Sequence, residues 1–336
     1  MDVIFAGSPT IVVAVEEQSQ IGQARRIAAQ ATASAGFDEA DAGRVALVTT
    51  ELATNVLKHA RSGEIHIAQV PGRDGTRGVE VIAVDRGPGF NLADCLPDGY
   101  STGGTRGEGL GAVWRQAEIM DMYADHRGSV VLTRTYPRGA AKVDIPFGAS
   151  EHRLPDELAS GDSWGMAFRD GGACALVVDG LGHGALASDA ASACVDAWAA
   201  EPFEEPTTQM ARLNAAMSGT RGGAVAIARF ADGALRYAGV GNISGSLQTV
   251  EGSRGLASSP GIVGAHARRA QHFDFPDVAG RLLVMHSDGL QSRWSLGDYP
   301  GLVNRHPAVV TAVLHRDFTR GRDDVTVFAL RLEAAP

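Results

Sequence analysis

The segment 51–60, ELATNVLKHA, decides how the first part of the chain is read. Glu51 and Asn55 are four residues apart, so they share one face of a helix, with Lys58 one turn further on. Val45, Val48, Leu52 and Val56 recur at helical spacing as an apolar stripe, which predicts a helix from about Asp38 to Ala60. A strand over 10–15 (TIVVAV) and an Ala-rich helix over 18–35 precede it. Strands are expected over 64–70 (EIHIAQV) and 78–84 (GVEVIAV), separated by PGRDGTRG, a turn sequence suited to a hairpin. A helix at about 111–120 and a strand at about 129–136 complete a unit of helices over a mixed sheet, an α+β layer sandwich.

Two other segments belong with the first. VIAVDRGPGF, 81–90, is an apolar strand ending in Asp85-x-Gly87-x-Gly89; in STGGTRGEGLGAV, 101–113, Gly107, Gly109 and Gly111 precede a helix. Glycines let backbone amides approach phosphates, and a helix N-terminus adds a favourable dipole. Asn55 is a neutral oxygen ligand suited to a Mg²⁺ that keeps phosphates and waters in its shell. A carboxylate beside it can orient or deprotonate an attacking hydroxyl. A carboxylate at a strand end, as Asp85 is, can accept a hydrogen bond from an adenine amino group. Each element alone is commonplace; their order and spacing within one small unit is not.

That order resembles the N, G1 and G2 boxes of the GHKL ATPase superfamily. More narrowly it resembles the anti-sigma-factor serine kinases of the switch-kinase branch of bacterial stress signalling, over residues 8–137. The resemblance implies a GHKL (Bergerat) α/β sandwich binding ATP and Mg²⁺. Glu51 would then be the base for a substrate serine, Asn55 the Mg²⁺ ligand and Asp85 the adenine contact. Gly87, Gly89, Gly107, Gly109, Leu110 and Gly111 would shape the pocket and its lid. Lys58 is either solvated or within reach of a phosphate, and His59 is structural. The family's Gly-Thr pair near the last strand corresponds here to Gly128-Ser129. No phosphoacceptor-histidine hairpin precedes the unit, which disfavours a sensor histidine kinase.

Over 137–160 the periodicity breaks down, which places a boundary near 148–152 and two domains at 1–148 and 152–336. Strands are then expected at 173–178, 223–230, 234–239, 282–286 and 325–332, and helices near 185–200 and 207–217. Carboxylates cluster at strand ends: Asp162 in ASGDSW, Asp179 in ALVVDGLGHG, Asp288 in LLVMHSDGL, and Asp323 with Asp324 in GRDDVTVFAL. Hard oxygen ligands gathered at one sheet edge suit Mg²⁺ or Mn²⁺. Two such ions sharing a carboxylate can activate a water and stabilise phosphoryl transfer.

This series resembles the PPM/SpoIIE-type metal-dependent serine/threonine phosphatases over 155–333, in the small form of the stress-response feedback phosphatases. By that resemblance the second domain is a PPM-type αββα sandwich. Asp179 bridges two Mn²⁺ or Mg²⁺ ions, Gly180 offers its carbonyl, Asp162, Asp288 and Asp323 complete the shells, and Asp324 orients a ligand or water. Where larger relatives carry His after the Asp-Gly pair, Leu181 stands here, and His183 takes a turn or cap role. No phosphate-binding Arg is evident upstream of Asp162.

The whole chain has 336 residues, 44% hydrophobic and 21% charged, with a formal charge of −9 and no basic stripe, which argues against a nucleic-acid partner. Three distant cysteines, Cys95, Cys174 and Cys194, argue against a disulfide framework and suit a reducing cytosol. No signal peptide or membrane span is evident, so a cytoplasmic protein is expected. Trp164, Trp198 and Trp294 are expected in the core or at a docking surface. The combined expectation is a bifunctional partner-switching regulator acting on STAS-domain antagonist or scaffold proteins. A sigma factor or a stressosome-like complex is a candidate output, and a homodimer a candidate assembly. The alternatives are a first domain that docks or senses ATP without kinase turnover.

Overall fold

The computed structural model describes residues 2–90, 109–139, 144–169, 171–265 and 270–333. The chain opens with a short strand, β1 (Val3–Ala6). It then forms two compact units, Thr10–Ile145 and Met1–Pro9 together with Pro146–Pro336.

In the first unit, β2 (Ile11–Val15) leads into α1 (Gln18–Ser34) and α2 (Glu39–Asn55). Both helices start on side-chain caps. Gln20 Oε1 accepts from the Glu17 amide at 2.8 Å in a capping box, and Asp38 accepts from the Asp41 amide at 2.8 Å. Beyond Asn55 the helix widens into a π turn, Val56–Ala60. Then come β3 (Gly63–Pro71), β4 (Arg77–Asp85), α3 (Gly109–Gln116), β5 (Ile119–Asp125) and β6 (Gly128–Thr135).

The sheet order is β2-β3-β4-β6-β5 with every pairing antiparallel, in place of the mixed sheet expected. The predicted stripe Val45, Val48, Leu52 and Val56 is buried with Ile65, Ile67, Val79 and Val81 from the sheet, in one core that also holds Val113 of α3. The helix expected over 111–120 ends at Gln116 because Ile119 already pairs with Arg134.

The second unit continues with β7 (Phe147–His152), β8 (Asp162–Arg169), β9 (Gly172–Gly180), α4 (Ala185–Ala200) and α5 (Pro206–Ala216). It goes on through β10 (Gly223–Ala231), β11 (Ala234–Val240), β12 (Ser244–Gln248), β13 (Ser253–Leu256), β14 (Phe273–Phe275) and β15 (Leu282–His286). It closes with α6 (Pro307–Phe318) and β16 (Val325–Arg331).

One sheet runs β1-β8-β9-β10-β11-β14 and the other β13-β12-β15-β16-β7, again antiparallel throughout. Helices α4 and α5 pack on the first sheet and α6 on the second, while β8 meets β7 and β16 across the interior. The layer order is therefore αββα. Cys174, Cys194 and Trp198 are core residues under α4, and Trp164 lies buried among Phe5, Phe147 and Phe328.

The division differs from 1–148 and 152–336 at the N-terminus. Residues Val3–Ala6 pair with Phe168–Gly165 of β8, so the chain starts in the second unit's sheet. Alternation over so short a segment gives a strand but not its sheet; Phe5 stacking on Trp164 is a contact of long range in sequence.

Arg44 of α2 is the buried tie of the first unit. Its guanidinium pairs with Asp41 at 2.8 Å and with Glu118, and its Nε donates to the Gln116 carbonyl at 3.1 Å. Arg44→Ala leaves the buried Asp41 with only the exposed Arg138 as a countercharge, at 3.5 Å, and should cost the unit on the order of 2 kcal/mol, read as an earlier transition in denaturant melts of the full chain.

Candidate functional site

In the first unit the motif residues come from three elements that pack on one another. Glu51 and Asn55 occupy the last turn of α2 and are half-buried; Lys58, in the π turn, is exposed. π turns inside helices recur at functional sites because they displace one residue from the regular ladder. Asp85 ends β4, and its Oδ1 accepts from the Gly87 amide at 2.8 Å. A Cβ on Gly87 would lie 2.8 Å from that of Ala60, so the Asp-x-Gly turn presses on the end of ELATNVLKHA.

Gly89 has φ 72°, and a Cβ there would come within 2.2 Å of the Asp125 carbonyl oxygen, so no larger residue fits. Leu110 and Gly111 lie in the first turn of α3, which packs directly against α2, and Leu110 joins the same core. Gly109 begins α3, whereas Gly107 lies outside the described residues.

Ser129 gains a definite place. Its hydroxyl hydrogen-bonds Asp85 Oδ2, and its amide donates to Asp85 Oδ1 at 3.3 Å. Ser129 thus holds the Asp85 carboxylate from the neighbouring strand. A Cβ on Gly128 would sit 2.0 Å from the Asp85 carbonyl oxygen.

In the second unit the carboxylates gather at one end of the two sheets. Asp162, the first residue of β8, pairs in register with Asp179 of β9. Asp288 follows β15, and Asp323 with Asp324 precedes β16. Ser287 joins the sheets: its Oγ donates to Asp162 Oδ2 at 2.6 Å and accepts from the Thr326 amide at 3.0 Å. Asn242 Nδ2 donates to Asp288 Oδ2 at 2.8 Å.

Asp324 is buried and accepts the Leu154 amide at 2.7 Å and the Gly161 amide at 2.6 Å, so it pins the loop before β8. It therefore positions backbone; a contact with a ligand or water is not needed to explain it. Gly289 must be glycine, since a Cβ there would lie 2.0 Å from the Asp324 carbonyl oxygen. His183 is exposed, with Nδ1 2.6 Å from Glu157 Oε1, and so ties two loops together.

The electrostatics follow from the crowding. Burial, then the Asp288, Asp323 and Asp324 charges, push the Asp179 carboxyl up to about 7. Burial and the Asp179 charge hold Asp162 well above the usual carboxylate range despite the Ser287 hydrogen bond. Asp323 is raised as well, first by burial and then by Asp288 and Asp324. Burial and Asp324 raise Glu151 of β7 to about 8.

Among the described residues no three His, Cys, Asp or Glu side chains already form a ready-made metal cluster. What is present is a set of hard oxygen donors whose mutual repulsion a divalent cation would relieve, which is the donor chemistry of Mg²⁺ or Mn²⁺. The charges of Asp288 and Asp323 reach Asp179, and Asp288 and Asp323 line one cavity. Asn242, Ser287 and Glu151 were not legible as site residues, whereas Ser129 was. Ser287 adjoins Asp288 in HSDG, but Asn242 and Glu151 are brought in by the folding of the sheets alone.

Several known proteins resemble parts of this chain. The histidine kinase-like ATPase domain family matches residues 14–133. The serine/threonine-protein kinase RsbT of Bacillus subtilis (strain 168) is 34% identical over 113 residues, 33% of this chain and 82% of that protein. A chain solved in work on the bacterial stressosome, "a modular system that has been adapted to control secondary messenger signaling", shares 24% identity and a TM-score of 0.51. It covers 55% of this chain and 98% of its own. RsbX solved in complex with magnesium is 22% identical at a TM-score of 0.47, over 54% of this chain and 92% of that one.

The first unit is thus a histidine kinase-like ATPase domain beside a second unit of αββα fold. Through the first unit the chain belongs to the family of RsbT-like serine/threonine kinases. No helix among the described residues is long and apolar enough to cross a membrane.

Asp324→Ala would leave the buried amides of Leu154 and Gly161 without their acceptor. A loss on the order of 3 kcal/mol is expected for the second unit, with faster amide hydrogen exchange at 154–161.

Proposed function

We propose that the chain is a bifunctional partner-switching regulator that phosphorylates and dephosphorylates Ser or Thr of STAS-domain antagonist or scaffold proteins, controlling a sigma factor or a stress response. The first domain is the kinase, with Glu51 as base for the substrate hydroxyl. Asn55 would hold Mg²⁺, Lys58 would reach phosphate and Asp85 would take the adenine amino group. Gly87, Gly89, Gly107, Gly109, Leu110 and Gly111 would wrap the nucleotide. The packing of α2 against the start of α3, with Gly87 pressed on Ala60, supports this arrangement.

The second domain is the phosphatase. Asp179, the Gly180 carbonyl, Asp162, Asp288 and Asp323 would hold two Mn²⁺ or Mg²⁺ ions. When bound, the ions supply Lewis acidity toward phosphoryl oxygens and a nucleophilic water. The one observation that carries the reading is the gathering of Asp179, Asp288 and Asp323 at one end of an αββα sandwich, with Asp179 pushed up to about 7 by burial and then by its neighbours' charges. The protein's own part is to hold the carboxylates apart and oriented, through Ser287 on Asp162 and Asn242 on Asp288. A cytoplasmic location, a stressosome-like complex and a homodimer accord with the RsbT kinship.

Purified protein incubated with Mg-ATP and each STAS partner should add one phosphate to Ser or Thr, seen by intact mass, and Glu51→Gln should abolish it. A stoichiometric complex that forms equally well with Glu51→Gln and yields no phosphorylated partner would instead mark a docking module. In the reverse assay, Mn²⁺-dependent phosphate release should fall by at least 10²-fold in Asp179→Asn and vanish with chelator. Full release by Asp179→Asn would remove the phosphatase assignment.

A further inference from the structure

Beside the carboxylate cluster lies a cavity of about 410 Å³ lined by Asp288, Gln291, Thr319, Arg320, Arg322 and Asp323. Two loops build its wall. The Gln291 amide donates to the Phe318 carbonyl at 2.9 Å, the Arg320 amide donates to the Gly289 carbonyl at 2.9 Å, and Leu290 bridges Thr319. Arg320 is thereby anchored next to the residue that follows Asp288, and Arg322 directly precedes Asp323.

Both arginines are exposed, and neither guanidinium makes a hydrogen bond or ion pair with a described residue, although two carboxylates share their cavity. Two other arginines of this unit are engaged: Arg316 holds Asp317 with Nη2 at 2.8 Å, and Arg153, upstream of Asp162, donates to the Glu157 carbonyl at 2.8 Å. An unengaged guanidinium pair on a backbone-stitched wall is a planar donor set for an oxyanion.

We propose that Arg320 and Arg322, in the loop before β16, bind the phosphomonoester dianion of the substrate, while Arg153, upstream of Asp162, is turned to the Glu157 carbonyl. The inference rests on the phosphatase reading of the same end of the sandwich. It assigns the two charges of this cavity to two ligands: the carboxylates face cations, and the guanidiniums face the phosphate those cations activate. Cation and anion sites then lie side by side in one cavity, and a peptide bearing an unphosphorylated serine has no partner for the arginines. Preference for phosphoserine or phosphothreonine over neutral or singly charged side chains follows from the charge-assisted hydrogen bonds that only a dianionic phosphate can make to both guanidiniums.

The test uses the full chain with saturating Mn²⁺ and a phosphoserine peptide. Arg320→Ala and Arg322→Ala should each raise KM about tenfold, with a smaller fall in kcat, and weaken competitive inhibition by inorganic phosphate by a similar factor. Calorimetric affinity for a non-hydrolysable phosphonate version of the peptide should fall in parallel, while Mn²⁺ affinity stays the same. Arg322→Lys should restore part of the loss, keeping the charge but not the planar fork. Unchanged KM, phosphate inhibition and phosphonate affinity in both variants and their combination would overturn the assignment, as would a fall in kcat alone. Those outcomes leave the phosphatase reading standing if Asp179→Asn is inactive; an active Asp179→Asn removes that reading instead.

Discussion

Carboxylate repulsion at one end of the αββα unit sets the terms for everything around it. Asp162, Asp179, Asp288, Asp323 and Asp324 come from four loops and strand ends; burial and their neighbours' charges hold Asp162, Asp179 and Asp323 above the usual carboxylate range. Like charges at such spacing are tolerated only where hydrogen bonds or cations compensate them. Four of the five have donors: Ser287 for Asp162, Asn242 for Asp288, two backbone amides for Asp324, and the Asp324 amide for Asp323. Asp179 makes no hydrogen bond to a described residue and is the one pushed to about 7. The carboxylate without a partner is also the one placed among three others, which is where a divalent cation has most to offer.

The supporting parts serve this end. Ser287 fastens β15 to β8 across the two sheets, so the carboxylates of both sheets move as one group. Asp324 fastens the loop before β8, and Gly289 lets the strand carrying Asp288 pass against Asp324. Close packing converts a change at one of these contacts into a shift of several ligands at once.

The ATPase unit solves a different problem, the close approach of backbone to a ligand. Its strand-end turn at Asp85–Gly89 is squeezed between Ala60 and Asp125, which leaves no room for side chains at Gly87 and Gly89. Ser129 and Gly128 then hold the Asp85 carboxylate from the neighbouring strand. The buried Arg44 ties α2 to the end of α3 through the Gln116 carbonyl, so the helix that starts at Gly109 is anchored at its far end.

Much was legible in the chain itself. The α2 stripe, the strand ending at Asp85 and the apolar runs before Asp179 and Asp288 are local patterns, because burial on one helical face or within a sheet repeats at short, fixed periods. Carboxylates at the ends of such runs mark a site for the same reason. Beyond that reach lay whatever depends on which strand lies beside which. The membership of Val3–Ala6 in the distant sheet, the short strands β12 to β14, the donor Asn242, and the meeting of Arg320 with Asp288 come from pairing and packing between residues tens to hundreds of positions apart. A hydrogen bond between such residues leaves no periodic trace along the chain, so it exists as information only once the sheets have closed.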